Sequence, residues 1–145
     1  MMLKKIYLFA FFCIAISMNA QNVQEIIAGL KNDLKANPNT KQTATIYSDL
    51  TWYYSNVSID SALVYGDKAI KTALILGDSV AIAQAYGDVS TVYLKKGDYN
   101  ESLKYLNKVL VIRKARKDII GLAKVYSGIG LLYYNQNKYD LSMKN

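Results

Sequence analysis

The 145-residue chain is predicted to be all-α, an α-solenoid of antiparallel helix pairs, on three observations. Shifting the chain against itself by 40 residues pairs Leu63 with Leu103, Tyr65 with Tyr105, Lys68 with Lys108, and Asp78 with Asp118. The same shift pairs Ala83 with Ala123, Tyr86 with Tyr126, Tyr93 with Tyr133, Tyr99 with Tyr139, and Ser102 with Ser142. Self-similarity at such a period is the mark of stacked supersecondary units. Within each unit, apolar and aromatic residues recur at i, i+3, i+4 and i+7, which places them on one helix face. No alternating polar–apolar stretch of strand length occurs anywhere after the N-terminal segment.

Residues 1–20 are expected to be a signal peptide. Lys4 and Lys5 precede an apolar run from Ile6 to Ile16, followed by Ser17-Met18-Asn19 and Ala20. This charged, apolar, then small-residue order is that of an export signal. The run is well short of the ~20 residues a spanning helix needs. Cleavage is expected after Ala20, giving a periplasmic or secreted protein with no stable membrane span. Cys13, in the middle of the run, leaves with it.

Residues 21–40 read as an amphipathic capping helix, with Val23, Ile26, Ile27, Leu30 and Leu34 on one face and Pro38 at its end. Such a lid is expected because a helical hairpin buries its apolar face only against a neighbour. The array spans 43–145, as repeats at about 43–77 and 83–117 and an incomplete third at 123–145. The first helices carry Tyr47-Leu50-Thr51-Tyr54, Tyr86-Val89-Ser90-Tyr93 and Tyr126-Ile129-Gly130-Tyr133. The second helices carry Ala62, Leu63, Ala69 and Ile70, and then Ser102, Leu103, Leu106, Val109 and Leu110. Gly77, Gly97 and Asn137 suit the left-handed residue that closes a helix, and Asp78 suits the cap that opens the next. The last helix starts near Tyr139, whereas its sibling runs from Tyr99 to about Arg116. Tyr126, Ile129 and Tyr133 are therefore expected to lie partly uncovered, and the array is expected to continue or to self-associate at this C-terminal end.

Composition narrows the chemistry. The chain has no His and a single Cys, so a Ser-His-Asp or Cys-His nucleophile pair and a His- or Cys-rich metal site are excluded. No catalytic residue, cofactor or metal site is expected. The net charge of +7 includes the cluster Arg113-Lys114-Ala115-Arg116-Lys117, which reads as a solvated helix C-terminus favoured by the helix dipole and not as a nucleic-acid patch. Asp98 and Glu101 read as acids in the first turn of a helix, not as an acid–base pair.

The residues Tyr126-x-x-Ile129-Gly130-x-x-Tyr133 with Ser142, Tyr86-x-x-Val89-Ser90-x-x-Tyr93 with Ser102, and Tyr47-x-x-Leu50-Thr51-x-x-Tyr54 with Ala62 resemble tetratricopeptide repeats. The period is 39 to 40 residues in place of 34, no Pro closes a repeat, and Gly66 replaces a frequent aromatic. These departures match the longer-helix variants of exported bacterial type. The resemblance implies a superhelix whose first helices line a concave groove holding a peptide or protein segment. On that basis the groove residues are Trp52, Asn56, Gln84, Thr91, Lys95, Lys124, Tyr134 and Asn135, flanked by Ser48, Ser55, Leu94, Ser127 and Leu131. Trp52 and Tyr134 are the expected anchors; the competing role for Trp52 is packing against the capping helix. Of the basic set that clamps C-terminal carboxylates in part of the family only Lys124 matches, with Ser48, Trp52, Asp88 and Gly128 elsewhere, so a chaperone-tail clamp is not expected. The resemblance thus implies a non-catalytic interaction scaffold with a protein or peptide partner. It also implies an alternative, the extracytoplasmic sensing region of a membrane-bound histidine kinase or transcriptional regulator.

Overall fold

A computed structural model describes residues 22–36 and 41–144. The expected signal peptide and the break at Pro38 lie outside the described residues. The chain runs through α1 (22–36), α2 (Lys41–Tyr54), α3 (Ile59–Leu76), α4 (Ser79–Lys96), α5 (Tyr99–Ala115), α6 (Ile119–Asn135) and the single turn α7 (Tyr139–Ser142). From α2 onward consecutive helices pack on one another, and α2 also touches α4. This makes a stack of hairpins α2/α3, α4/α5 and α6/α7, an all-α solenoid.

From the end of α3 onward the punctuation is periodic. Left-handed residues stand at Gly77 (φ 64°), Gly97 (φ 82°), Lys117 (φ 54°) and Asn137 (φ 59°), one in every twenty positions. After Gly97, Lys117 and Asn137 the next amide reaches back five residues, Asp98 N to Tyr93 O at 2.9 Å, Asp118 N to Arg113 O at 3.0 Å and Lys138 N to Tyr133 O at 2.9 Å. That 6→1 bond satisfies carbonyls that the helix end would otherwise orphan. The turns after α3, α4 and α5 hand directly to an N-cap. Asp78 Oδ1 accepts from Val80 N and Ala81 N, Asp98 Oδ1 from Glu101 N, and Asp118 Oδ1 from Gly121 N. Ser58 caps α3 in the same way through Ser61 N. Such short turns leave the next helix no choice but to fold back antiparallel.

The core lies in two clusters. Ile27 of α1 is buried with Ile46 and Leu50 of α2, ringed by Val23, Leu30, Leu34, Tyr47, Tyr53, Tyr54 and Tyr65. Farther along, Leu106 and Val109 of α5 meet Val125, Ile129 and Leu132 of α6. Ile129, expected to be partly uncovered, is instead buried, because α5 covers it from the preceding hairpin. At the C-terminal end the large apolar side chains left in solvent are Leu131, Tyr134, Leu141 and Met143.

Repeat equivalence extends to side-chain geometry. Tyr54 stacks on Tyr65 at 5.2 Å between ring centroids, and its counterpart Tyr93 stacks on Tyr105 at 5.6 Å. Lys68 lies over Tyr47 and Tyr65, as Lys108 lies over Tyr86 and Tyr105. Where α4 crosses α5, Ser90 Oγ donates to Ser102 O at 3.1 Å and meets Ser102 Oγ at the same distance. α3 also approaches α4 closely. α3 buries Ala62, Gly66, Ala69 and Ala73, and a Cβ on Gly66 would collide with Val89 of α4.

Arg113 holds the position equivalent to Ala73, and this corrects the reading of its cluster as a solvated helix end. Its side chain is turned inward and pairs with Asp118 at 2.6 Å, while Lys114, Arg116 and Lys117 remain exposed. The pairing draws the guanidinium toward the cap of the next helix, where Gly121 leaves space beside the Arg113 stem that a Cβ would occupy.

Candidate groove site

Between α2 and α4 lies a cleft of about 580 Å³, with Ser48, Asp49 and Trp52 on one wall and Val80, Gln84 and Asp88 on the other. Lys41 and Asp78 also line it, joined by an ion pair of 2.7 Å. Beyond α4 a second hollow of about 240 Å³ is lined by Gln84, Asp88 and Thr91 of α4, Arg113 of α5 and Lys124 of α6. The α4 residues Gln84 and Asp88 therefore form the ridge that both clefts share.

Trp52 is 52% exposed and lines the first cleft. The capping helix packs instead on Tyr53 and Tyr54, so the competing role for Trp52 is not the one it plays. Lys95 sits 5.3 Å from the centre of its ring. The same ammonium donates to Ser55 Oγ at 2.7 Å and to Asn56 Oδ1 at 2.6 Å, tying the end of α4 to the end of α2. Burial pushes its pKa down. Thr91 Oγ1 donates to its own helix at Gly87 O.

The structure thus brings Trp52, Asn56, Gln84, Thr91, Lys95 and Lys124 to one side of the array. Tyr134 and Asn135 are exposed at the end of α6 and line neither cleft. Sequence reading missed Asp49, Asp78 and Lys41 as site residues, and met Asp88 only as a departure from the carboxylate clamp. A signal for two of them was present: Asp49 and Asp88 each stand two residues after a repeat tyrosine, Tyr47 and Tyr86, and Gly128 takes that place after Tyr126.

The carboxylates are unlike one another. Asp78 is held down to about 2, first by Lys41 and then by the amides of Ala81 and Val80. Asp88 is pushed up to about 6, chiefly by burial, against the opposing hydrogen bonds of Ser48 and Gln84 and with a further push from Asp49. Its Oδ1 accepts from Gln84 Nε2 at 2.9 Å, while its buried Oδ2 has no partner among the described residues. Burial raises Asp49 as well. A carboxyl held out of water without a counter-ion is unfavourable in a folded protein and concentrates at functional sites.

Among the described residues no helix is long and apolar enough to cross a membrane. No curated protein matches the chain. The solved TPR domain of Arabidopsis FLU superposes with a TM-score of 0.65 at 21% identity, covering 72% of this chain and 88% of that one, a likeness of fold. The family model described as the SusR N-terminal TPR domain matches residues 17–144. Tetratricopeptide domains are in general non-catalytic scaffolds for protein–protein interaction. With helix pairs, repeat aromatics and family model in agreement, the chain belongs to the SusR N-terminal TPR domain family.

Proposed function

We propose that the protein is exported and holds a peptide or protein segment in the groove lined by α2, α4 and α6, without catalysing a reaction on it. The observation that carries this reading is the cleft between α2 and α4, where a half-exposed Trp52 faces Gln84 and Asp88. Aromatic side chains with a polar edge supply large contact area at small entropic cost. A photo-crosslinking residue placed at Gln84 or Thr45 is expected to trap a protein partner, and one placed at Lys71 or Asn107, on the second helices, is not. Equal trapping from both sets of positions would refute the groove. Export is tested by N-terminal sequencing of the protein recovered from the cell envelope: Gln21 as first residue supports it, and an intact Met1 on cytoplasmic protein overturns it.

A second reading is favoured by the family's description as an N-terminal domain. In it, the array is the input region of a membrane-bound histidine kinase or transcriptional regulator, and groove occupancy is the signal. The reading frame beyond the codon for Asn145 tests this: a membrane span followed by a kinase or DNA-binding domain supports it, and an immediate stop refutes it. The exposed apolar side chains Leu131, Tyr134, Leu141 and Met143 support self-association through α6 and α7. Sedimentation of residues 21–145 is expected to give species larger than a monomer, and a monomer at high concentration counts against it.

A further inference from the structure

Asp49 and Asp88 stand at matching steps of successive repeats, two residues after Tyr47 and Tyr86, so the repeat geometry sets them on facing walls of one cleft. Neither has an ion-pair partner among the described residues, and Asp49 makes no hydrogen bond there either. The chain is not short of cations, with 18 Lys and Arg against 11 Asp and Glu. Lys41 is committed to Asp78, Lys95 to Ser55 and Asn56 and Arg113 to Asp118, while Lys124 lines the hollow on the far side of Asp88 and makes no ion pair with either acid among the described residues. Asp88 accepts from Gln84 at Oδ1, and its Oδ2 is closed off from solvent with no cation beside it among the described residues. A net-positive protein has therefore left two acids without an ion-pair partner on the facing walls of this cleft.

We infer that the cleft between α2 and α4 is a subsite for a lysine or arginine side chain of the bound segment, whose cationic head pairs with Asp49 and Asp88 while its aliphatic stem lies along Trp52. The inference rests on the groove reading above and gives that groove a ligand chemistry. Asp49, exposed on α2, meets the cation first; Asp88 supplies the second negative charge from α4. Long basic side chains carry an apolar stem under a charged head, which matches a cleft with an indole and a carboxylate on one wall and a second carboxylate on the other. A neutral side chain would leave both acids unpaired, and an acidic one would add repulsion, so selectivity follows from what the site lacks.

Trp52 is the only tryptophan in the chain, so its emission reports on the cleft directly. The probes are acetylated, amidated pentapeptides of alanine with Lys, Arg, norleucine or Glu at the centre, titrated into the whole protein. The Lys and Arg peptides are expected to change Trp52 emission and to bind about tenfold tighter than the norleucine peptide. The double variant D49N/D88N is expected to erase that difference while keeping its helicity by circular dichroism. Equal affinity for Lys and norleucine, or a preference that survives in D49N/D88N, overturns the inference. If the norleucine or Glu peptide binds as well as the Lys peptide with a Trp52 response, the groove reading stands and only the basic subsite falls. If no peptide alters Trp52 emission, both fall.

Discussion

The carboxyl of Asp88 allows one charge to be removed from the cleft at nearly constant shape. In Asp88→Asn the side chain keeps its shape and its bond from Gln84, and loses its charge. The folded-state value of about 6 stands well above the ordinary 3.8, by roughly two pH units. At about 1.4 kcal/mol per unit, ionised Asp88 therefore costs the native state about 3 kcal/mol. Because the folded value is raised, the associated stability is fully present below pH 3.8 and is lost as pH rises through about 6. In that window the native state binds the proton that the unfolded chain has released. The Asp88→Asn change removes this cost but leaves an amide N–H₂ in the place of the unpartnered Oδ2, which returns about 1–2 kcal/mol of it. The variant is thus expected to be more stable than the wild type by about 1–2 kcal/mol at about pH 7.5. Near pH 4 the order reverses or vanishes. Urea unfolding followed by circular dichroism at several pH values from about 4 to about 7.5 measures both curves. Parallel pH profiles for the two proteins would refute the desolvated-carboxylate reasoning.

Other expectations follow from the packing. Lys117, with φ 54°, sits where Gly77 and Gly97 serve elsewhere, so Lys117→Gly should raise stability by about 1 kcal/mol in thermal or urea unfolding; a loss would mean the turn is not the strained one. Gly66→Ala forces a methyl against Val89 and should destabilise by about 1–3 kcal/mol, whereas Gly87→Ala, with open space at its Cβ, should cost far less; equal effects would deny the close approach of α3 and α4. Tyr93→Ala removes a ring stacked on Tyr105 and should cost about 3 kcal/mol, measured the same way, with a neutral result counting against the repeat register.

Much of the architecture was legible because it is written in local chemistry. The Gly77-Asp78 and Gly97-Asp98 pairs each stop one helix and start another through bonds confined to a few residues, and the tyrosines mark the buried face by their spacing alone. Tyr47, Tyr86 and Tyr126 set the register, and with the resemblance to tetratricopeptide repeats Trp52, Gln84, Lys95 and Lys124 were expected on the groove side. Lys117 was not legible as a turn residue, since nothing in its own chemistry favours positive φ; its position, twenty residues from Gly97, imposes it.

The amino-acid order by itself determined that the chain is a periodic stack of helix pairs, because caps, turns and helical spacing act over neighbours that are already bonded together. Which charges matter was decided only by the tertiary structure. Asp88 and Arg113 look like ordinary surface residues of amphipathic helices, and both are drawn inward once the hairpins close on them. Lys41 and Lys95, equally ordinary in sequence, prove to be engaged by Asp78, Ser55 and Asn56. Desolvation and pairing are properties of what surrounds a group in space, so the facing carboxylates of the cleft come together only once the hairpins are stacked.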